Sequence, residues 1–142
     1  MDLSGCPCSG KTLMRLVQPA ILAILREEPL HGYVIVRRLS RMTVFREDPP
    51  DARGVYRMLR SMETAGLVRW TWDASDRGPA RRRFHLTGGG RACLALWEKT
   101  LDRYQRTIGT LLTEMREGAG ERHAEASGPA SATMRRRRAT TA

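Results

Sequence analysis

Long apolar runs, cysteines and the residue groupings of catalysis are what this sequence of 142 residues has little of. The longest apolar stretch, Ala20 to Leu25, is closed by Pro19 and Arg26, far short of the about 20 residues that cross a bilayer. No basic start followed by an apolar run resembles a secretory signal, so a cytoplasmic protein with no membrane partner is expected. Its three cysteines, Cys6, Cys8 and Cys93, are an odd number outside a secretory context, which argues against a disulfide framework. No Ser/His/Asp arrangement, carboxylate pair or complete metal set is present, so neither an enzyme nor a required cofactor is expected.

What the sequence does have is positive charge, unevenly placed. The formal net charge is +10. Residues 1–30 and 92–117 are each neutral, whereas residues 31–91 carry thirteen arginines against six acids and residues 118–142 five against two. A basic middle between neutral flanks is the footprint of a surface that displaces counterions from phosphates. Charge alone is equally consistent with a solvated basic surface.

The apolar pattern organises one small domain with appendages. Leu13, Leu16, Val17, Ala20, Ile21, Ile24 and Leu25 recur at helical spacing, which predicts a first helix ending by Glu28, with a kink or break near Gln18 because of Pro19. Ile35, Val36, Leu39 and Met42 predict a second helix starting near His31 or Gly32, its other face carrying Arg37, Arg38 and Arg41. Residues 43–50 read as a loop. Asp51 is placed to cap a third helix, whose inner face is Val55, Met58, Leu59 and Met62. Arg53, Arg57 and Arg60 recur on a different face, and Gly66 closes the helix.

From Leu67 to Trp72 the period changes to two, with Val68, Trp70 and Trp72 alternating against Arg69 and Thr71. Asp76, Gly78 and Pro79 mark a turn, and Arg83 to Leu86 return as a second strand. Thr87 is placed to cap a last helix, although Gly88, Gly89 and Gly90 leave its first turn soft. Beyond them Leu94, Trp97, Leu101, Tyr104, Ile108, Leu111 and Met115 alternate spacings of three and four. That heptad predicts a seam against another helix; a second copy of the chain is favoured over packing on the first helix. The remainder, from Gly118 through Arg135 to Arg138, reads as a disordered basic tail.

The expected fold class is mainly α with a small two-stranded β wing: a winged helix-turn-helix plus a long C-terminal dimerisation helix. Its divisions are an arm (1–12), the winged helix-turn-helix (13–87), the dimerisation helix (88–117) and the tail (118–142).

Several short motifs then resemble the PadR family of transcriptional regulators: Leu30-His31-Gly32-Tyr33; Gly54-Val55-Tyr56-Arg57-Met58-Leu59-Arg60; Met62-Glu63-Thr64-Ala65-Gly66-Leu67-Val68; Gly78-Pro79-Ala80-Arg81-Arg82; Phe84-His85-Leu86-Thr87; and Gly90-Arg91. The resemblance covers about residues 13 to 115. It implies a homodimer whose third helices enter the major grooves of a palindromic operator in double-stranded DNA, with wings on the flanking backbone. Such a protein represses nearby genes until a small-molecule effector or other signal releases it. On this reading Tyr56 is the tyrosine of the recognition helix, Arg53, Arg57 and Arg60 share its DNA-facing side, and Arg77, Arg81 and Arg82 lie at the wing. Phe84 stands where a tyrosine is frequent, and Gly88 and Gly89 stand where helix formers are usual.

Arginine on such a helix can grip the O6 and N7 acceptors of guanine; the competing expectation is that Arg53 or Arg60 pairs with Asp51 or Glu63. Wing arginines suit phosphates. Trp70 and Trp72 read as packing residues, His31 as a polar helix-start residue, and Trp97 as a seam filler or a platform for a flat effector.

The N-terminal arm leaves two other readings open. Cys6 and Cys8, with Cys93 if the fold brings it near, suit a soft metal ion or an oxidant, either as a sensor coupled to DNA release or in a thiol-based metal or redox protein that does not act on DNA. Gly5 to Thr12, with Lys11, matches the P-loop pattern of an NTPase, but Met1 to Ser4 supply no strand of the kind a P-loop follows.

Overall fold

The computed structural model describes residues 15–73 and 80–127, without the side chains of 123–127. The chain forms two compact units, Met1–Glu98 and Lys99–Ala142.

Pro19 sets where the first helix begins. Helix α1 runs Val17–Glu27, which puts Pro19 in its first turn, where a backbone N–H has no intrahelical acceptor and its loss costs nothing. A 3-10 stretch at residues 15–16 leads into the helix, so the break expected near Gln18 falls just before it, between Leu16 and Val17. Val17, Ala20, Ile21, Leu22, Ile24 and Leu25 are all buried. A helix apolar on almost every side belongs in the middle of a fold, and α2 (Gly32–Arg41), α3 (Ala52–Thr64) and β3 (Arg81–Leu86) pack against it.

Glu28, before Pro29, is extended, as the clash with the proline ring requires. Leu30–His31 then form a short strand, β1, followed by helix α2 over Gly32–Arg41. Ile35 and Leu39 of α2 are fully buried, with Val36 and Met42 packed against the same core. The stretch expected as a plain loop contains a 3-10 turn, Thr43–Phe45, that drives Phe45 into the core at 1% exposure.

Helix α3 spans Ala52–Thr64. Asp51 caps it, Oδ1 accepting from the Gly54 backbone N–H at 2.8 Å, which satisfies one of the helix's orphan donors. At the other end Leu67 N–H donates to Met62 C=O and Gly66 N–H to Glu63 C=O, both at 2.9 Å. This paired closure needs a left-handed residue, and Gly66 supplies it with φ +77. The chain is thereby turned directly into strand β2, Val68–Asp73, which pairs antiparallel with β3, Arg81–Leu86, in the register Val68↔Leu86 to Asp73↔Arg81.

The wing has one strand more than expected. β1 pairs with the outer side of β3, Leu30 opposite Phe84 and His31 opposite Arg83, giving the order β1-β3-β2. A two-residue strand has no periodicity to detect, which is why it is invisible in the sequence.

Helix α4 runs Gly88–Ser127. Thr87 Oγ1 accepts from Gly90 N–H at 2.9 Å and donates to Gly66 C=O at 2.6 Å, so the cap also ties the helix start to the α3–β2 corner. Two of the three glycines expected to leave the first turn soft stand against backbone of the α3–β2 corner. A Cβ on Gly90 would stand 2.1 Å from the Leu67 carbonyl oxygen, and one on Gly89 3.1 Å from that of Gly66. Glycine is what lets the helix start against that backbone. The helix also continues past Glu117, where a disordered tail was expected to begin. Ala119, Glu121, Arg122 and Ala124 are strong helix formers, and Gly118 and Gly120 cost only about 1 kcal/mol each.

Candidate nucleic-acid interface

The outward side of α3 carries Arg53, Tyr56, Arg57 and Arg60, all exposed, while Val55, Leu59 and Met62 are buried on the inward side. The competing ion pairs do not form. Asp51 spends Oδ1 on the helix cap, and Glu63 Oε1 accepts from Trp70 Nε1 at 2.8 Å. Among the described residues Arg53, Arg57 and Arg60 pair with no carboxylate. By contrast Arg38 is held by Glu27 and Glu28, and Arg26 by Glu98. Arg26 and Arg38 are thus engaged by carboxylates at the surface, and the three arginines of α3 are not.

Arg81 and Arg82 stand exposed on β3; Arg77 lies outside the described residues. Both are positioned by aromatic rings. The Arg81 guanidinium is 5.1 Å from the centroid of Tyr33, and that of Arg82 is 4.8 Å from Trp70 and 5.7 Å from Trp72, distances at which a cation is attracted to a ring face.

The wing is fixed to the start of α2 by a residue that sequence reading passed over. Asp73 Oδ2 accepts from Arg83 Nη2 at 2.6 Å and from His31 Nε2 at 2.9 Å, so one carboxylate joins all three strands. The Arg83 guanidinium first, and His31 second, hold the Asp73 carboxyl below the usual carboxylate range. His31, expected only as a polar helix-start residue, also stacks on Tyr33 with centroids 5.8 Å apart and planes 11° apart. On the same strand pair His85 shares a 2.9 Å hydrogen bond with Thr71. Desolvation, then the nearby charges of Arg69 and Arg83, push its pKa down.

Between α3 and the wing lies an open cleft of about 500 Å³, with Leu59 and Phe84 at its base and Tyr33, Tyr56 and Trp72 on its sides. Gly32 makes room for one of them: a Cβ there would stand 2.5 Å from Tyr56 Cε1. Arg60 of α3 and Arg81 and Arg82 of the wing line this cleft together with its aromatic rings.

A basic helix beside an arginine-bearing wing is the expected frame of a DNA-binding regulator, and comparison with known proteins agrees. Residues 21–96 match the transcriptional regulator PadR-like family. The chain belongs to that family. PadR-like proteins are transcription regulators and bind DNA, and they are not enzymes. Solved structures share the fold. A PadR-like transcriptional regulator from Bacillus cereus is 24% identical with a TM-score of 0.62, covering 72% of this chain and 96% of that one. A transcriptional regulator from Thermoplasma acidophilum is 23% identical, again at 0.62 with 72% and 96% covered. A PadR-like transcription factor from Bacteroides fragilis is 20% identical at 0.60, with 73% and 97% covered. No curated protein matches in sequence.

Within this PadR-like chain the heptad residues divide into two groups. Leu94 is 5% exposed in the core of its own unit, and Trp97 packs against that core with Nε1 donating to Gln18 Oε1 at 3.0 Å. Both are thus covered within their own unit, and Trp97 meets α1 through Gln18. In the second unit Leu101 is half-buried, whereas Tyr104, Ile108, Leu111 and Met115 are 49%, 63%, 56% and 63% exposed.

Cys93 is partly buried against the core. Cys6, Cys8 and the P-loop-like stretch with Lys11 lie outside the described residues. Among the described residues no group of three or more His, Cys, Asp or Glu is placed to hold a metal ion, and no helix is long and apolar enough to cross a membrane.

The cleft and wing residues to which sequence reading gave no site role are Tyr33, Trp72 and Asp73. Tyr33 stood inside the first family-like motif, and its position there was the available signal.

Proposed function

We propose that this chain is a homodimeric transcriptional repressor acting in the cytoplasm on a palindromic operator, with α3 in the major groove and the wing on the flanking backbone. The observation that carries the reading is the set of exposed arginines, Arg53, Arg57 and Arg60 on α3 with Arg81 and Arg82 on the wing, none paired with a carboxylate among the described residues. Guanidinium groups without carboxylate partners are available for guanine edges and phosphates, and displacing counterions from DNA supplies the affinity.

The exposed apolar row Tyr104, Ile108, Leu111 and Met115 supports the dimer. A stripe of that spacing is stable when a second helix covers it, and a two-fold pairing gives two reading heads a fixed separation. Release by a small ligand or by a thiol or metal signal completes the reading. The hydrogen bond and core contacts of Trp97 favour a packing role there over a ligand platform, so the thiols are the better candidates for the signal.

Capture of genomic fragments by the purified full chain, followed by sequencing, tests this. One enriched palindrome is the expected result, lost after oxidation or metal exposure if the thiols carry the signal. Uniform coverage of the genome contradicts sequence-specific repression.

A further inference from the structure

Three guanidinium groups border the cleft between α3 and the wing: Arg60 from α3, and Arg81 and Arg82 from β3. They face one carboxylate, Glu63, which already accepts from Trp70 Nε1. Two phenols, Tyr33 and Tyr56, stand there 43% and 45% exposed, and Trp72 is 60% exposed. Packing leaves most of the Trp72 ring in water, unlike Trp70, which is half-buried against the core. The contact of Arg82 with both indoles keeps its guanidinium beside Trp72.

Forked cationic donors next to flat rings, in an open cleft, suit a phosphate joined to a sugar. A guanidinium takes two phosphate oxygens at once, and a ring face takes the apolar side of a nucleotide. The placement fits as well. A strand that leaves the groove holding α3 and reaches the groove beside the wing crosses the space between them.

We infer that this cleft seats one phosphodiester unit of a DNA strand, with Arg60, Arg81 and Arg82 around the phosphate and Trp72 against its deoxyribose. The inference rests on the reading that DNA is the partner, and it changes two assignments within it. Arg60, which helical phase groups with the base readers Arg53 and Arg57, acts on the backbone. Trp72, read from the sequence as packing, is a DNA contact.

Fluorescence anisotropy on the full chain tests this, with the captured operator, a random duplex of equal length, and operators in which single phosphates are replaced by uncharged methylphosphonates. Trp72→Ala is expected to weaken binding to operator and random DNA alike, on the order of tenfold, and Trp72→Phe to restore most of it. Arg60→Ala is expected to weaken both duplexes alike and to lower the slope of log affinity against log salt by about one. One methylphosphonate position should weaken the wild type yet add nothing to the loss in Arg60→Ala. A Trp72→Ala protein that binds as the wild type does, or an Arg60→Ala loss confined to the operator, overturns the seat and leaves DNA as the partner. A wild-type chain that binds neither duplex overturns both.

Discussion

The ring of Tyr56 lies on Gly32, where a Cβ would come within 2.5 Å of Cε1. One residue opens α2 and the other faces outward from α3, so their contact sets how α3 presents its tyrosine. Gly32→Ala is expected to push the half-exposed ring aside at a stability cost of about 1 kcal/mol, the low end for overpacking because a side chain can move. Operator affinity should fall more than the melting temperature suggests. Anisotropy titration beside a thermal melt checks it; unchanged operator binding would show that the ring's position is irrelevant.

A harder clash guards the start of α4. The nearest atom to a Cβ on Gly90 is the Leu67 carbonyl oxygen at 2.1 Å, whereas Gly88 has nothing within 4 Å. Backbone cannot yield as a side chain does, so Gly90→Ala is expected to destabilise by about 2–3 kcal/mol. Gly88→Ala should be neutral or stabilising by up to about 1 kcal/mol. Denaturant unfolding of the two variants separates them, and equal stabilities would contradict the close approach.

Acid should loosen the wing in two stages. His85 has its pKa lowered by desolvation and by Arg69 and Arg83, so its neutral form is the one the fold favours. Its contribution is complete above the ordinary histidine value of about 6.5 and is lost as pH falls through the lower folded value. Asp73 is held down by Arg83 and His31. Its contribution is present above the ordinary carboxylate value of about 3.9 and is lost as pH falls through its own depressed value. Asp73→Asn should remove the second stage alone and speed amide exchange in β1 and β3 at neutral pH. Wild-type exchange rates in that variant would deny Asp73 its bridging role.

The second unit carries the dimer prediction. Ile108→Glu, at a side chain 63% exposed, should leave the melting of the first unit unchanged while converting a dimer into a monomer in sedimentation experiments. Operator affinity should then drop by several orders of magnitude towards the value for random DNA, because one reading head loses the other. A wild-type chain that sediments as a monomer removes this part of the account.

Much of this architecture was legible in the sequence because it rests on period and punctuation. Asp51 announced the start of α3 and Gly66 its end, and the change of period after Leu67 announced β2. The face of Arg53, Arg57 and Arg60 followed from helical phase alone. What was not legible depends on tertiary contact. β1 is too short to have a pattern, and Phe45 is a lone apolar residue whose burial is decided by a 3-10 turn. Asp73 looks like any strand-end acid until β3 and β1 bring Arg83 and His31 to it. Gly88 to Gly90 read as a weak helix start, yet Gly90 is required by the carbonyl of a residue remote in sequence. Leu94 and Trp97 keep the heptad's spacing while packing in the core of their own unit, because spacing does not record which neighbour covers a residue.

The central claim is that α3 reads sequence through arginines left without internal partners, and Arg57 is its plainest test. Arg57→Ala, titrated by anisotropy against operator and random duplexes at one salt concentration, is expected to lose about 1–3 kcal/mol more on the operator than on random DNA. Equal losses on the two duplexes would contradict it.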